Sequence, residues 1–98
     1  MVKFNRTQKF TKSNIERIPE DKAIVYKIKN SMGENLYTGI AGRGRGQDRL
    51  LEHKELRREA ILGGTRFQIA QTKTKDRAEQ IEKQIIKKEQ PKFNIQKK

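Results

Sequence analysis

A chain of 98 residues with 32% hydrophobic and 37% charged side chains holds enough apolar material for one small core, so one domain is expected and two are excluded. Lys and Arg number 24 against 12 Asp and Glu, a formal charge of +12, and a positive field on so small a body draws polyanions, with nucleic acid the commonest partner. There is no cysteine and only one histidine, which excludes disulfides, thiolate centres and a zinc site built from imidazoles; any metal ion is expected on oxygen ligands.

Residues 1–18 mix Lys, Asn, Thr and Gln with isolated Phe4, Phe10 and Ile15 and show no sustained period. They read as a loosely held basic arm with one turn of helix near Ser13. Pro19 breaks the chain, and from Ala23 to Ile28 the residues alternate: Ile24, Tyr26 and Ile28 share one face of a strand, Ala23, Val25 and Lys27 the other. Asn30-Ser31-Met32-Gly33-Glu34-Asn35 has turn composition and Leu36-Tyr37-Thr38-Gly39-Ile40 is again β-like, so the pair is an antiparallel hairpin with one tyrosine on each strand. The uncharged apolar stretch Ala23-Ile24-Val25-Tyr26 is far too short to span a bilayer, and residues 1–30 hold no signal-like apolar run. No membrane partner is expected, and the localisation expected is intracellular, in the cytoplasm.

The loop Ala41-Gly42-Arg43-Gly44-Arg45-Gly46 combines backbone freedom with charge, which suits a phosphate-contacting loop and equally a flexible connector. It lacks the Gly-Lys-Ser/Thr ending of a nucleotide-binding loop, so nucleoside triphosphate binding is rejected. From Gln47 to about Leu62 a helix is expected, with Asp48 near its positive end, Leu50, Leu51, Ile61 and Leu62 near one arc, and Gly63-Gly64 as its stop. Arg49, His53 and Arg57 follow at i, i+4 and i+8 on one edge of it. Arg66-Phe67-Gln68-Ile69-Ala70-Gln71 alternates as a third strand, and a second helix runs from Thr74 or Lys75 to Lys88, closed by Pro91. The order β, β, α, β, α after the arm defines an α+β fold, a small three-stranded antiparallel sheet flanked by helices.

At about 100° per residue, Ala78, Ile81, Ile85 and Ile86 form the one stripe of the second helix able to face the sheet, and Glu82 falls inside it. A carboxylate there costs several kcal/mol or takes up a proton unless it reaches solvent or meets a cation, either an Arg or Lys in a structural salt bridge or a metal ion. Two tyrosines on facing strands fill a sheet well whatever else they do.

Together these residues resemble the GIY-YIG nuclease family, which is named for two tripeptides on adjacent strands. Here they are Ile24-Val25-Tyr26 and Tyr37-Thr38-Gly39, with Ile24 in place of the first glycine, Thr38 in the middle of the second tripeptide, and Ile40 where a basic residue often follows. The family's Arg and His on the first long helix match Arg49 and His53, its Glu on the next helix matches Glu82, and its Asn after a proline matches Asn94 in Pro91-Lys92-Phe93-Asn94. Arg45 is the alternative match for the arginine. The likeness covers residues 18–95 and implies a nuclease domain over 19–95, between the arm at 1–18 and a basic tail at 96–98.

The resemblance implies a DNA endonuclease that hydrolyses phosphodiesters by nicking. It implies one Mg²⁺ or Mn²⁺ on Glu82, phosphate charge neutralised by Arg49, a water deprotonated by Tyr26 or Tyr37, and supporting roles for His53, Gly39 and Asn94. Arg43, Arg45 and Arg57 would contact the DNA backbone, while specificity would need the arm, a partner or a second copy in a homodimer. The alternative is a nucleic-acid-binding module that keeps the fold and has lost turnover through Ile24, Thr38 or Ile40.

Overall fold

Alternation over residues 23–29 and again over 35–41 suits pleated strands, and the computed structural model, which describes residues 3–55, 61 and 63–96, folds the first as a central strand and the second as an edge strand beside it. The elements in chain order are β1 (Gln8–Lys9), α1 (Lys12–Ile15), β2 (Ala23–Lys29), β3 (Asn35–Ala41), α2 (Gly46–Glu55), β4 (Arg66–Thr72), α3 (Lys75–Glu89) and α4 (Lys92–Gln96). This is an α+β domain with a four-stranded antiparallel sheet in the order β1-β4-β2-β3.

The expected third-strand count therefore rises by one. Two polar residues show no alternation from which a strand can be read, yet the outer edge of β4 has backbone groups that need partners. Gln8 and Lys9 pair there with Phe67 and Arg66, and further along the same edge Asn5 binds Ile69 through both its backbone N–H and its side-chain carbonyl. Thus the segment expected as a loose arm is packed: Phe10, Ile15 and Ile18 are buried in the main core. Thr11 caps α1 by accepting the N–H of Asn14, so the single expected turn near Ser13 is present.

The β2–β3 turn is organised by Asn30, whose side-chain carbonyl accepts the N–H groups of Met32 and Glu34 at 2.9 and 3.0 Å. Gly33 supplies the positive φ of 85° that the turn needs. After the bulge between Ile28 and Lys29, the β2–β3 ladder sets Tyr26 opposite Gly39 and Ile28 opposite Tyr37.

The sheet separates two apolar layers as the alternation of β2 requires. Ile24, Tyr26 and Ile28 join Tyr37, Leu50, Ile61, Phe67 and Ile69 in the larger layer, covered by α1 and α2. Ala23 and Val25 meet Ala78 and Ile81 of α3 on the other face, with Ile40, Ile85 and Phe4 packed against them. Ile61 is buried as expected but lies outside a helix; residues 56–60 and Leu62, and with them Arg57, lie outside the described residues.

The second long helix follows its expected course. Thr74 caps α3 by accepting the Arg77 N–H at 3.1 Å, and Gln90 in the left-handed region closes it with its N–H on the Ile86 carbonyl at 2.8 Å. Pro91 prevents continuation, and α4 then packs along β3. Among the described residues no helix is long and apolar enough to cross a membrane.

Candidate active site

Tyr26 occupies the middle of β2 with its side chain in the larger layer, where it is fully buried. Its ring fits because the residue opposite is glycine: a Cβ on Gly39 would stand 2.5 Å from the Tyr26 hydroxyl, 2.6 Å from its Cζ and 2.9 Å from Cε2 of Tyr37. The glycine is thus a gap in β3 into which two aromatic rings lean. Tyr37 lies two residues before Gly39 and so on the same face, its ring centroid 6.2 Å from that of Tyr26.

The third ring comes from α2. Asp48 stands in its first turn, the Gln47 N–H is accepted by Glu20 at 2.9 Å, and Leu50 anchors the helix in the core. The placement of Leu50 orients Arg49 and, one turn later, His53, which is almost fully buried. His53 Nε2 is 2.8 Å from the Tyr26 hydroxyl, and the imidazole lies 4.8 Å from the Tyr37 ring and 5.6 Å from the Tyr26 ring.

Burial pushes the Tyr26 hydroxyl above its ordinary value of 10.0, and neighbouring Tyr37 adds to this against the opposing Arg49. Tyr26 therefore remains protonated at neutral pH, and its hydroxyl shares a hydrogen bond with His53 Nε2 whose direction follows the imidazole tautomer. Arg49 also hydrogen-bonds Tyr26, and its NH1 meets the Glu52 carboxylate at 2.6 Å. Partial burial works against the Arg49 charge, but Tyr26 and Glu52 outweigh it and raise its pKa. Glu52 was not singled out from the sequence, although its position three residues after Arg49 on a helix was a legible signal.

Glu82 belongs to α3, which covers the opposite sheet face, yet its charge acts on Tyr26. It is half-buried, and no hydrogen bond or ion pair to another described residue engages its carboxylate. Desolvation raises its pKa, Glu79 adds to the shift, and Lys83 opposes it. The structural salt bridge anticipated as one way to satisfy Glu82 is not formed among these residues.

Asn94, delivered by α4, treats β3 as a neighbouring strand would. Its Oδ1 accepts the Thr38 N–H at 2.7 Å and its Nδ2 donates to the Thr38 carbonyl at 2.9 Å, closing the sheet edge between Tyr37 and Gly39. Ile24, at the position of the first tripeptide's missing glycine, is buried against the start of α2, where a Cβ on Gly46 would come within 2.8 Å of its Cδ1. The glycine at 46 leaves the room that Ile24 fills.

Arg43 and Arg45 are exposed on the loop before α2, and Arg45 makes only a loose solvent-exposed pair with Asp48 at 3.9 Å. Arg49, and not Arg45, is the arginine that reaches Tyr26. The fold thus gathers Tyr26, Tyr37, Gly39, Arg49 and His53 on one face, places Glu82 within electrostatic range, uses Asn94 on the strand edge, and leaves Arg43 and Arg45 to the surface. Comparison with family models, with characterised proteins and with solved structures gave no match.

A divalent cation is compatible with this donor set. Among the described residues the half-buried Glu82 carboxylate makes no ion pair, and no three acidic or imidazole side chains converge into a cage. A hard ion that keeps most of its waters and takes one carboxylate plus substrate oxygens fits such a site; an ion that needs a full protein shell does not.

Proposed function

We propose that this domain is a metal-assisted endonuclease that hydrolyses DNA phosphodiesters and nicks one strand at a time. The observation that carries the reading is the buried Tyr26–His53 pair, touched by the Arg49 guanidinium and standing in the field of the Glu82 carboxylate, with which no other described residue pairs. Of the residues that the GIY-YIG likeness picks out, Tyr26, Tyr37, Arg49 and His53 lie together and Glu82 acts on them through its charge, which supports the reading.

Arg49 sits on a helix and would neutralise charge growing on the phosphoryl oxygens in the transition state. An attacking water would pass its proton to the Tyr26 oxygen while Tyr26 hands its own to His53 Nε2, so the pair relays the proton and no free tyrosinate is needed. This assigns Tyr26, protonated by burial, as relay and His53 as the acceptor that completes it. Tyr37 packs against the imidazole, its ring centroid 4.8 Å away. Mg²⁺ or Mn²⁺ held by Glu82 would polarise the phosphate and stabilise the leaving 3′ oxygen. Exposed Arg43 and Arg45, with the wider basic surface, supply backbone contacts that carry no sequence information.

Supercoiled plasmid incubated with the purified chain and Mg²⁺ or Mn²⁺, beside EDTA and Glu82→Ala controls, tests the reading. Nicking that needs both metal and Glu82 is expected. A gel shift without nicking, across several metals and DNA forms, would make the domain a binding module on the same fold.

A further inference from the structure

Lys9, Arg66 and Lys29 stand directly opposite one another on three adjacent strands, since Lys9 and Lys29 both pair with Arg66. Directly opposed residues point to the same face, and Phe67 and Ile28, one position away, belong to the larger layer. The three cations therefore form a row on the face away from the tyrosine cluster. Neighbouring Cβ atoms in such a row are about 5 Å apart, and like charges so placed destabilise a sheet.

Among the described residues little offsets that cost. No hydrogen bond or ion pair to another described residue engages the side chains of Lys9, Arg66 or Lys29. The contrast lies one row along on the same face: Lys27 is matched by Glu89 at 3.1 Å and stacks over Phe4 at 4.7 Å. Glu89 is held there and by Asn35, and its attraction for Lys29 is outweighed by burial and by the charge of Lys27. At the outer end of the row, a cavity of about 370 Å³ adjoins Lys9 and Arg66, with Phe10, Thr11, Ser31 and Thr65 among its other lining residues.

We infer that Lys9, Arg66 and Lys29 form a second nucleic-acid contact, a phosphate-backbone track on the sheet face opposite the tyrosine cluster. The inference rests on the reading of DNA as the partner. Two strand spacings make the row roughly 10 Å long, which matches about three phosphates of one strand at ~3.4 Å of axial rise each. The domain would then hold DNA on a surface separate from the one that cuts, so that the track anchors one segment while the tyrosine face engages another.

The test is titration of a labelled duplex of about 20 base pairs at salt from about 0.05 to 0.2 M, read by fluorescence anisotropy. The triple variant Lys9→Gln, Arg66→Gln, Lys29→Gln is compared with a charge-matched control, Lys12→Gln, Lys22→Gln, Lys75→Gln. The track predicts that the first variant loses roughly tenfold or more in affinity and that its slope of log affinity against log salt falls by about 0.9 per phosphate contact removed, some 2.7 in all. The control should change much less, and Lys9→Arg, Arg66→Lys, Lys29→Arg should bind as the natural chain does. The melting temperature of the Gln variant should equal or exceed the parent's, because the opposed charges are gone; should it fall, the single substitutions, each lowering the slope by about 0.9, decide instead. Equal losses in both triple variants, or an unchanged slope, overturn the track. A natural chain that binds no duplex at low salt overturns both the track and the nuclease reading, whereas track-dependent binding without metal-dependent nicking overturns the nuclease alone.

Discussion

Replacing Gly39 by alanine adds one methyl group at the most crowded point of the sheet. That carbon would lie 2.5 Å from the Tyr26 hydroxyl, 2.6 Å from Tyr26 Cζ and 2.9 Å from Tyr37 Cε2. None of these is the end of a flexible chain, since both rings are buried and stiff. Overpacking of this kind costs about 1–3 kcal/mol. The ring that has to move also gives up its 2.8 Å contact with His53, which leaves two buried polar groups without each other at about 1–3 kcal/mol. Against this, alanine returns about 0.5–1 kcal/mol of backbone entropy. The net expectation is a loss of about 3 kcal/mol, equivalent to a melting temperature lower by roughly 10–20 °C for a domain of this size. Urea titration with a thermal melt measures it, beside Gly42→Ala, where an added Cβ meets nothing within 4 Å and φ is not positive. The same chemical change at Gly42 should be neutral or stabilising by up to about 1 kcal/mol. A Gly39→Ala protein within about 0.5 kcal/mol of the parent would refute the claim that the glycine makes room for the tyrosines.

Tyr26→Phe keeps the packing and removes the hydroxyl from His53 and Arg49; equilibrium unfolding should show a loss of about 1–3 kcal/mol, and plasmid nicking should fall far more than DNA affinity. Asn94→Ala strips two hydrogen bonds from the Thr38 backbone at the sheet edge and should cost about 2 kcal/mol, with faster amide exchange along β3 as the local readout. Because burial raises the Glu82 pKa above its ordinary 4.5, the folded state holds that proton more tightly than the unfolded chain. Stability from this group is complete below about pH 4.5 and is lost as pH rises through the raised value. Glu82→Gln should therefore stabilise the protein at neutral pH by no more than about 1 kcal/mol, the half-exposed carboxylate keeping part of its hydration, and the gain should vanish in melts below about pH 4. Mg²⁺ or Mn²⁺ should raise the melting temperature of the parent and leave that of Glu82→Gln unmoved; equal shifts in both would place the ion elsewhere.

Local chemistry was enough to read much of this molecule. The two-residue period of Ala23 to Ile28 determined which side chains face which layer, because alternation is a property of the pleat itself. Thr74 and Pro91 bracketed α3, since a cap and a missing N–H act within one turn. The spacing of Arg49 and His53 put both on one side of α2 before any partner was known, and the tripeptides picked out Tyr26, Tyr37 and Gly39.

Other features depended on contacts that no local pattern records. Gln8 and Lys9 become a strand only because β4 has an open edge, and Phe10, Ile15 and Ile18, which follow no period, become core through the shape of the layer they enter. The reason for Gly39 is the Tyr26 ring thirteen positions away, brought opposite by the hairpin register. Whether Glu82 would meet an arginine or stand unpaired was open in the helical wheel, because a wheel shows the face and not what lies against it. Residue pattern alone determined the periodicities, the caps and the candidate side chains; only the tertiary structure decided their partners, burial and charge state, which arise from segments that meet in space far from where they lie in the chain.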